Sequence, residues 1–202
     1  MLSFACKKEN KSTSTASTTT SATTTGGSTG GSATVNSAIQ VSYTMDGTNY
    51  TFVDGTGTIS NSYNTQTFTG STNTTQIWSM YLTDTNTGHF VFTASKGTLS
   101  YPNGTTVDNA TFDAFFPKTN IPYSAGAFNG IGINMYIEND QLTSAGPQTG
   151  TGFNIVDKKI VDEGGNHYVK IKANFSCKLY NSSGALKKTI TNGVLIAQFK
   201  NM

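Results

Sequence analysis

From Ile39 onward the chain is written in short runs of alternating apolar and polar residues, broken by clusters of Gly, Asn, Asp and Ser. The longest run is Tyr168 to Tyr180. Val169, Ile171, Ala173, Phe175, Cys177 and Leu179 fall on one parity, and Lys170, Lys172, Asn174, Ser176 and Lys178 on the other. A period of two over that length predicts a half-buried strand with Cys177 turned inward. Ile131, Ile133, Met135 and Ile137 repeat the pattern, and Trp78 shares its parity with Met80 and Leu82, which assigns it to the core. Val41 to Met45 and Tyr50 to Val53 flank Asp46-Gly47-Thr48-Asn49, a hairpin signal because Gly accepts the positive φ of such turns. Further strands are expected at Gly57 to Ser60, Thr65 to Thr69, Gln76 to Thr83, His89 to Ala94, Gly97 to Tyr101, Gly152 to Val161, Ala185 to Ile190 and Val194 to Phe199. Thr105 to Phe116 reads as a weaker segment of the same kind, and Asn192-Gly193 as a tight turn or a bulge.

No segment carries a sustained helical period with caps. The expected fold is therefore all-β, an antiparallel β-sandwich of immunoglobulin-like or jelly-roll-like type, with a closed meander β-barrel as the alternative. The stretch from Asp113 to Gly130, with Phe115, Phe116, Pro117, Ile121, Pro122 and Phe128, is expected to be an irregular aromatic loop over one open end of the core, with room for one helical turn.

The first residues follow another logic. Five residues precede Cys6, too few for the apolar stretch of a secretory signal, so residues 1–11 read as a truncated remnant of one that ends in an acylation site. Ser12 to Ala38 is almost wholly Ser, Thr, Gly and Ala, which cannot bury enough apolar surface to offset chain entropy. It is expected to be a disordered tether, with a root-mean-square reach of roughly 30 Å. Residues 39–202 suit a single domain. No apolar run approaches the length of a membrane span.

Charge changes the picture by exclusion. All thirteen basic residues are lysine, and the formal net charge is +2. Without arginine the chain lacks the favoured bidentate donor for phosphates and bases, so no nucleic-acid partner is expected. With Cys6 assigned to lipid, Cys177 has no partner for a structural disulfide, and an inward cysteine is an inert core residue.

Leu2, Phe4 and Ala5 before Cys6 resemble a lipobox, and Lys7-Lys8-Glu9-Asn10-Lys11 is similar to the mature start of Bacteroidetes lipoproteins, some of which use such a motif for surface export. The opening Tyr43-Thr44-Met45-Asp46-Gly47-Thr48-Asn49-Tyr50-Thr51-Phe52 and the closing Phe175 to Phe199 resemble the two ends of small uncharacterised lipoprotein domains of that group, which are β-sandwiches. The resemblance covers about a quarter of the chain. It implies a β-sandwich in the cell envelope, held by lipid in the outer membrane on its surface or periplasmic face, and no activity.

Candidate chemistry is sparse. His89 and His167 each open a strand, and neither belongs to a metal-ligating spacing; no cofactor or metal is expected. No Gly-x-Ser-x-Gly elbow lies between a strand and a helix. Glu138 with Asp140, or Asp108 with Asp113, are the nearest carboxylate pairs for glycoside chemistry. Asp84-Thr85-Asn86-Thr87-Gly88 is oxygen-rich but lacks the bidentate acid of a calcium loop. Tyrosines on a β-sandwich can form a platform for sugar rings, and Tyr101, Tyr123, Tyr168 and Tyr180 are the candidates. The expected function is a monomeric, nonenzymatic binding or structural module, for glycan or an envelope protein. The alternative is an accessory carbohydrate-active hydrolase, which requires a cleft joining acids such as Glu138 and Asp113.

Overall fold

A computed structural model describes residues 33–124 and 130–201. Cys6, most of the expected tether and Phe128 lie outside the described residues. The strands are β1 (Gln40–Met45), β2 (Thr48–Val53), β3 (Ile59–Thr69), β4 (Asn73–Asp84), β5 (His89–Pro102), β6 (Asn120–Ile121), β7 (Gly130–Ile137), β8 (Asp140–Thr143), β9 (Gly152–Glu163), β10 (Asn166–Tyr180) and β11 (Leu186–Asn201), with one short helix, α1 (Asn109–Ala114). All the strand ladders are antiparallel.

Two layers follow from the pairing. The first sheet runs β2-β1-β11-β10-β9-β6 and the second β8-β7-β5-β4-β3. They are joined where Tyr180 of β10 pairs with Thr143 of β8 and again where Tyr123, just after β6, bridges Ile131 of β7, and β2 and β3 end the path as edges. The sheet does not close on itself, so the sandwich expectation holds and the barrel alternative does not.

The core lies between the layers, as the alternation demands. Val169, Ile171, Ala173, Cys177 and Leu179 of β10, with Leu195, Ala197 and Phe199 of β11, meet Trp78, Met80 and Leu82 of β4, Phe92 and Ala94 of β5 and Ile133 and Met135 of β7. Asp46 (φ 51°) and Gly47 (φ 76°) turn β1 into β2 as the Asp-Gly signal predicts.

Where the structure departs from the sequence expectation, local cause is visible. His89 to Ala94 and Gly97 to Tyr101 form a single strand, β5, and the segments around Asn192 form a single strand, β11. Asn192 (φ 52°) is a bulge there: it shifts the register between Phe175 and Cys177 of β10. Gly193 lies against Phe175, and a Cβ on it would stand 2.5 Å from the Phe175 ring. Thr105 to Phe116 is no strand. It contains α1, capped by Asp108, whose Oδ1 accepts from Thr111 N at 2.7 Å. α1 wedges Phe112 between the layers, with its ring 5.3 Å from those of Trp78 and Phe116, and Phe116 meets Phe199 at 4.8 Å. Packing also begins earlier than residue 39. Val35 is buried, Lys170 Nζ donates to Ser37 O at 2.6 Å, and Lys159 Nζ donates to Asn36 Oδ1 at 3.0 Å.

Candidate functional site

Residues that alternate with the core on the second sheet point to its outer face, where the register sets them in rows. Ser62 of β3, Tyr81 of β4, Thr93 of β5, Asn134 of β7 and Thr143 of β8 are successive cross-strand partners. Asn64, Ser79, Ser95 and Gly132 form the next row. Hydroxyl and amide groups thus tile four to five neighbouring strands at a spacing of about 4.8 Å. None of these residues is charged.

A groove of about 840 Å³ lies on this floor. Ser79, Tyr81, Thr93, Ser95, Gly132, Asn134 and Thr143 line it, with Ser124, Ala145 and Ser182 from loops and Asp140 as its one carboxylate. Aromatic rings stand at one end. Phe90, 47% exposed, leans on Tyr81 with ring centroids 4.8 Å apart. The His89 ring stacks on Tyr136 at 3.9 Å and 14°. Within the floor Ser79 Oγ and Ser95 Oγ share a hydrogen bond of 2.8 Å. The Asn134 side chain, half-buried between Thr93 and Thr143 in its row, has no partner among the described residues. Thr93 Oγ1 is buried and unpartnered beside it. This arrangement can hold an uncharged, hydroxyl-rich molecule by hydrogen bonds from below and ring contacts at one end.

The four tyrosines singled out from sequence do not form a platform. Tyr168 and Tyr180 lie twelve residues apart on one strand, about 40 Å at the rise of a β-strand. Tyr168 packs near Tyr63 with ring centroids 6.0 Å apart, and Tyr180 is buried with its hydroxyl donating to Pro147 O. Tyr123 donates to Ser176 O at 2.8 Å, and burial, aided by the Cys177 thiol, holds its phenol far above the ordinary range. Tyr101, half-buried near the end of β5, is also raised by burial. The groove rings Tyr81, Phe90, His89 and Tyr136 were missed. The parity of Tyr81 and Tyr136 opposite Met80, Leu82, Ile133 and Met135 was readable, but Phe90 shares the parity of buried Phe92 and is displaced by the register shift at Leu82/Thr83, and the strand order that makes these rings neighbours was not readable.

The acids are dispersed. Asp113 and Asp162 both reach His167, at 2.8 Å from Nε2 and 2.6 Å from Nδ1. Burial lowers the pKa of this imidazole, but the hydrogen bonds and charges of Asp113 and Asp162 outweigh it, and the net shift is upward. With both ring nitrogens engaged, His167 clamps α1 to the β9-β10 hairpin and offers no free base. Glu138, with φ 52° in the β7-β8 turn, lies 3.8 Å from Lys188, whose ammonium bonds Asp46 at 2.6 Å. Glu138 and Asp113 therefore sit in separate clusters and share no cleft. Asp108 caps α1, Asp84 accepts from Asn86 N in its own turn, and Asp140 pairs with Ile137 beside the groove. No group of three or more His, Cys, Asp or Glu suited to a metal occurs among the described residues. Cys177 is fully buried, and burial pushes its thiol up to about 12, against a smaller lowering by Tyr123. Comparison with models of protein families, with curated proteins and with solved structures finds no match to this chain.

Proposed function

We propose that this chain is a lipid-anchored cell-envelope protein, an outer-membrane lipoprotein in the manner of the Bacteroidetes type, and that it works as a nonenzymatic module that binds glycan in the groove of its second sheet. The observation that carries the reading is the uncharged row Tyr81-Thr93-Asn134-Thr143 crossing four strands beside the Tyr136 and Phe90 rings. Sugars present alternating hydroxyl edges and apolar C–H faces, which such a row and such rings complement, and an anionic ligand would find no lysine on this floor. The row spans about 14 Å, three inter-strand spacings, so the ligand is an extended saccharide lying across the strands.

The test is calorimetric titration of the full chain with neutral hexasaccharides of glucose, mannose, xylose and N-acetylglucosamine. At least one should bind, and Tyr136→Ala should weaken it by about tenfold or more, the loss expected of an aromatic anchor. The bound saccharide should be recovered at its original length. Binding untouched by Tyr136→Ala and by Asn134→Ala would remove the groove from the account, and a shortened product would favour the hydrolase. Protease shaving of intact cells expressing the chain or its Cys6→Ala variant tests the anchor separately.

A further inference from the structure

The lysines are distributed unevenly over the two layers. Lys170, Lys172 and Lys178 alternate with the buried residues of β10 and so project from the outer face of the first sheet. Lys159 of β9 is the cross-strand partner of Lys170, and Lys200 of β11 that of Tyr168, on the same face. The floor of the groove on the second sheet has no lysine.

These ammonium groups are crowded. Burial and then the neighbouring Lys159 charge lower the pKa of Lys170. The acceptors of three of them are neutral: Ser37 O for Lys170, Asn36 Oδ1 for Lys159 and Thr149 O for Lys178. Two acids intrude: Asp157, the cross-strand partner of Lys172, which also bonds Lys118 at 3.3 Å, and Glu163, the partner of Asn166 at the hairpin end of the face. Like charges gathered on one face repel each other, and an anionic surface laid against them relieves that repulsion. Ser37 and Asn36 are also where the chain from the N-terminal side joins the fold, so an anchor upstream is attached at this face. Lysine suits a fluid array of headgroups, because a point charge on a flexible stem demands no bidentate geometry.

We propose that the outer face of the β2-β1-β11-β10-β9 layer docks on an anionic membrane leaflet. The inference rests on the anchored reading for the nearness of a membrane, and it is independent of what the groove binds. The decisive experiment is co-sedimentation of the full chain carrying Cys6→Ala, so that no acyl group contributes, with vesicles of phosphatidylcholine alone or with phosphatidylglycerol added. Binding should rise with the phosphatidylglycerol fraction and fall as salt shortens the Debye length toward about 8 Å at physiological ionic strength. Replacing Lys159, Lys170, Lys172 and Lys200 by Gln should cost about tenfold or more, whereas Gln at Lys7, Lys8 and Lys11 should cost less. Should the fourfold variant fail to fold, charge reversal at Lys178 and Lys200 alone should still weaken binding. Sedimentation indifferent to lipid charge or to these lysines overturns the proposal. So does binding that is lost only with Lys7, Lys8 and Lys11, or duplex DNA bound as tightly as the vesicles. Loss of cell attachment on Cys6→Ala bears on the anchor and leaves the vesicle result standing.

Discussion

Lys96 is the residue whose position costs the fold most visibly. It lies on the core-facing parity of β5 with Phe92 and Ala94, is 7% exposed, and holds its ammonium 3.5 Å from the centroid of the Phe115 ring. Its one hydrogen bond among the described residues is a long one, 3.4 Å to Gly97 O. Burial lowers its pKa to about 8. A base with a lowered folded pKa loses its proton first in the folded state, so the unfolded chain binds more protons between about 8 and about 10.5, and stability rises with pH across that window. Lys96→Met is expected to stabilise the protein by about 1 to 2 kcal/mol at neutral pH, with the gain shrinking as pH rises from about 8 to about 10.5. Denaturant unfolding of both chains at the two pH values checks this. Thr93→Val should likewise leave stability unchanged or raise it by up to about 1 kcal/mol, because the hydroxyl it deletes is buried without a partner. The inward lysine also limited what could be read from sequence. A charge at a core parity split β5 into two expected strands, whereas Cys177 and Trp78, apolar at core parities, were placed correctly.

At the scale of elements, α1 was the feature least legible, since six residues are too few to display a helical period and its cap, Asp108, belongs to a residue type common in turns. Tertiary contacts hold it: Phe112 in the core, the Lys158 ammonium on Asp113 O, and the His167 clamp on the Asp113 carboxylate. The clamp gives the helix a pH dependence. His167 has a raised folded pKa, so its contribution is complete below the unfolded value of about 6.5 and is lost as pH rises through the folded one. Amide protection factors at Phe112 and Phe115 should therefore decline above neutrality, and His167→Gln should flatten that dependence. The bulge in β11 is a second local constraint. Gly193→Ala places a Cβ 2.5 Å from the Phe175 ring and 2.6 Å from its carbonyl oxygen, and should cost about 1 to 3 kcal/mol by thermal or denaturant unfolding. The sequence marked Asn192-Gly193 as special, and the long β10 partner decided for a bulge over a turn.

For the whole molecule, alternation and turn residues were enough to announce a two-layered β fold, because each strand reports its own buried side. They could not announce the groove, which depends on β4, β5, β7 and β8 lying side by side through contacts distant in sequence. Cooperativity of the assembled sandwich has a built-in reporter: Cys177, fully buried in the core, should react with a thiol reagent only at the rate of global opening, tracked by mass spectrometry against urea. The two layers have one more consequence. Facing sheets pack about 10 Å apart, so the lysine face and the groove are separated by a fixed thickness of protein, whereas the expected tether alone would let the domain range over roughly 30 Å. Resting on its lysines, the molecule would hold the groove at a set standoff height and turned outward. A saccharide chain drifting past would then meet a layer of receptors at one altitude, and a second molecule could take hold of it by a search over an area instead of through a volume.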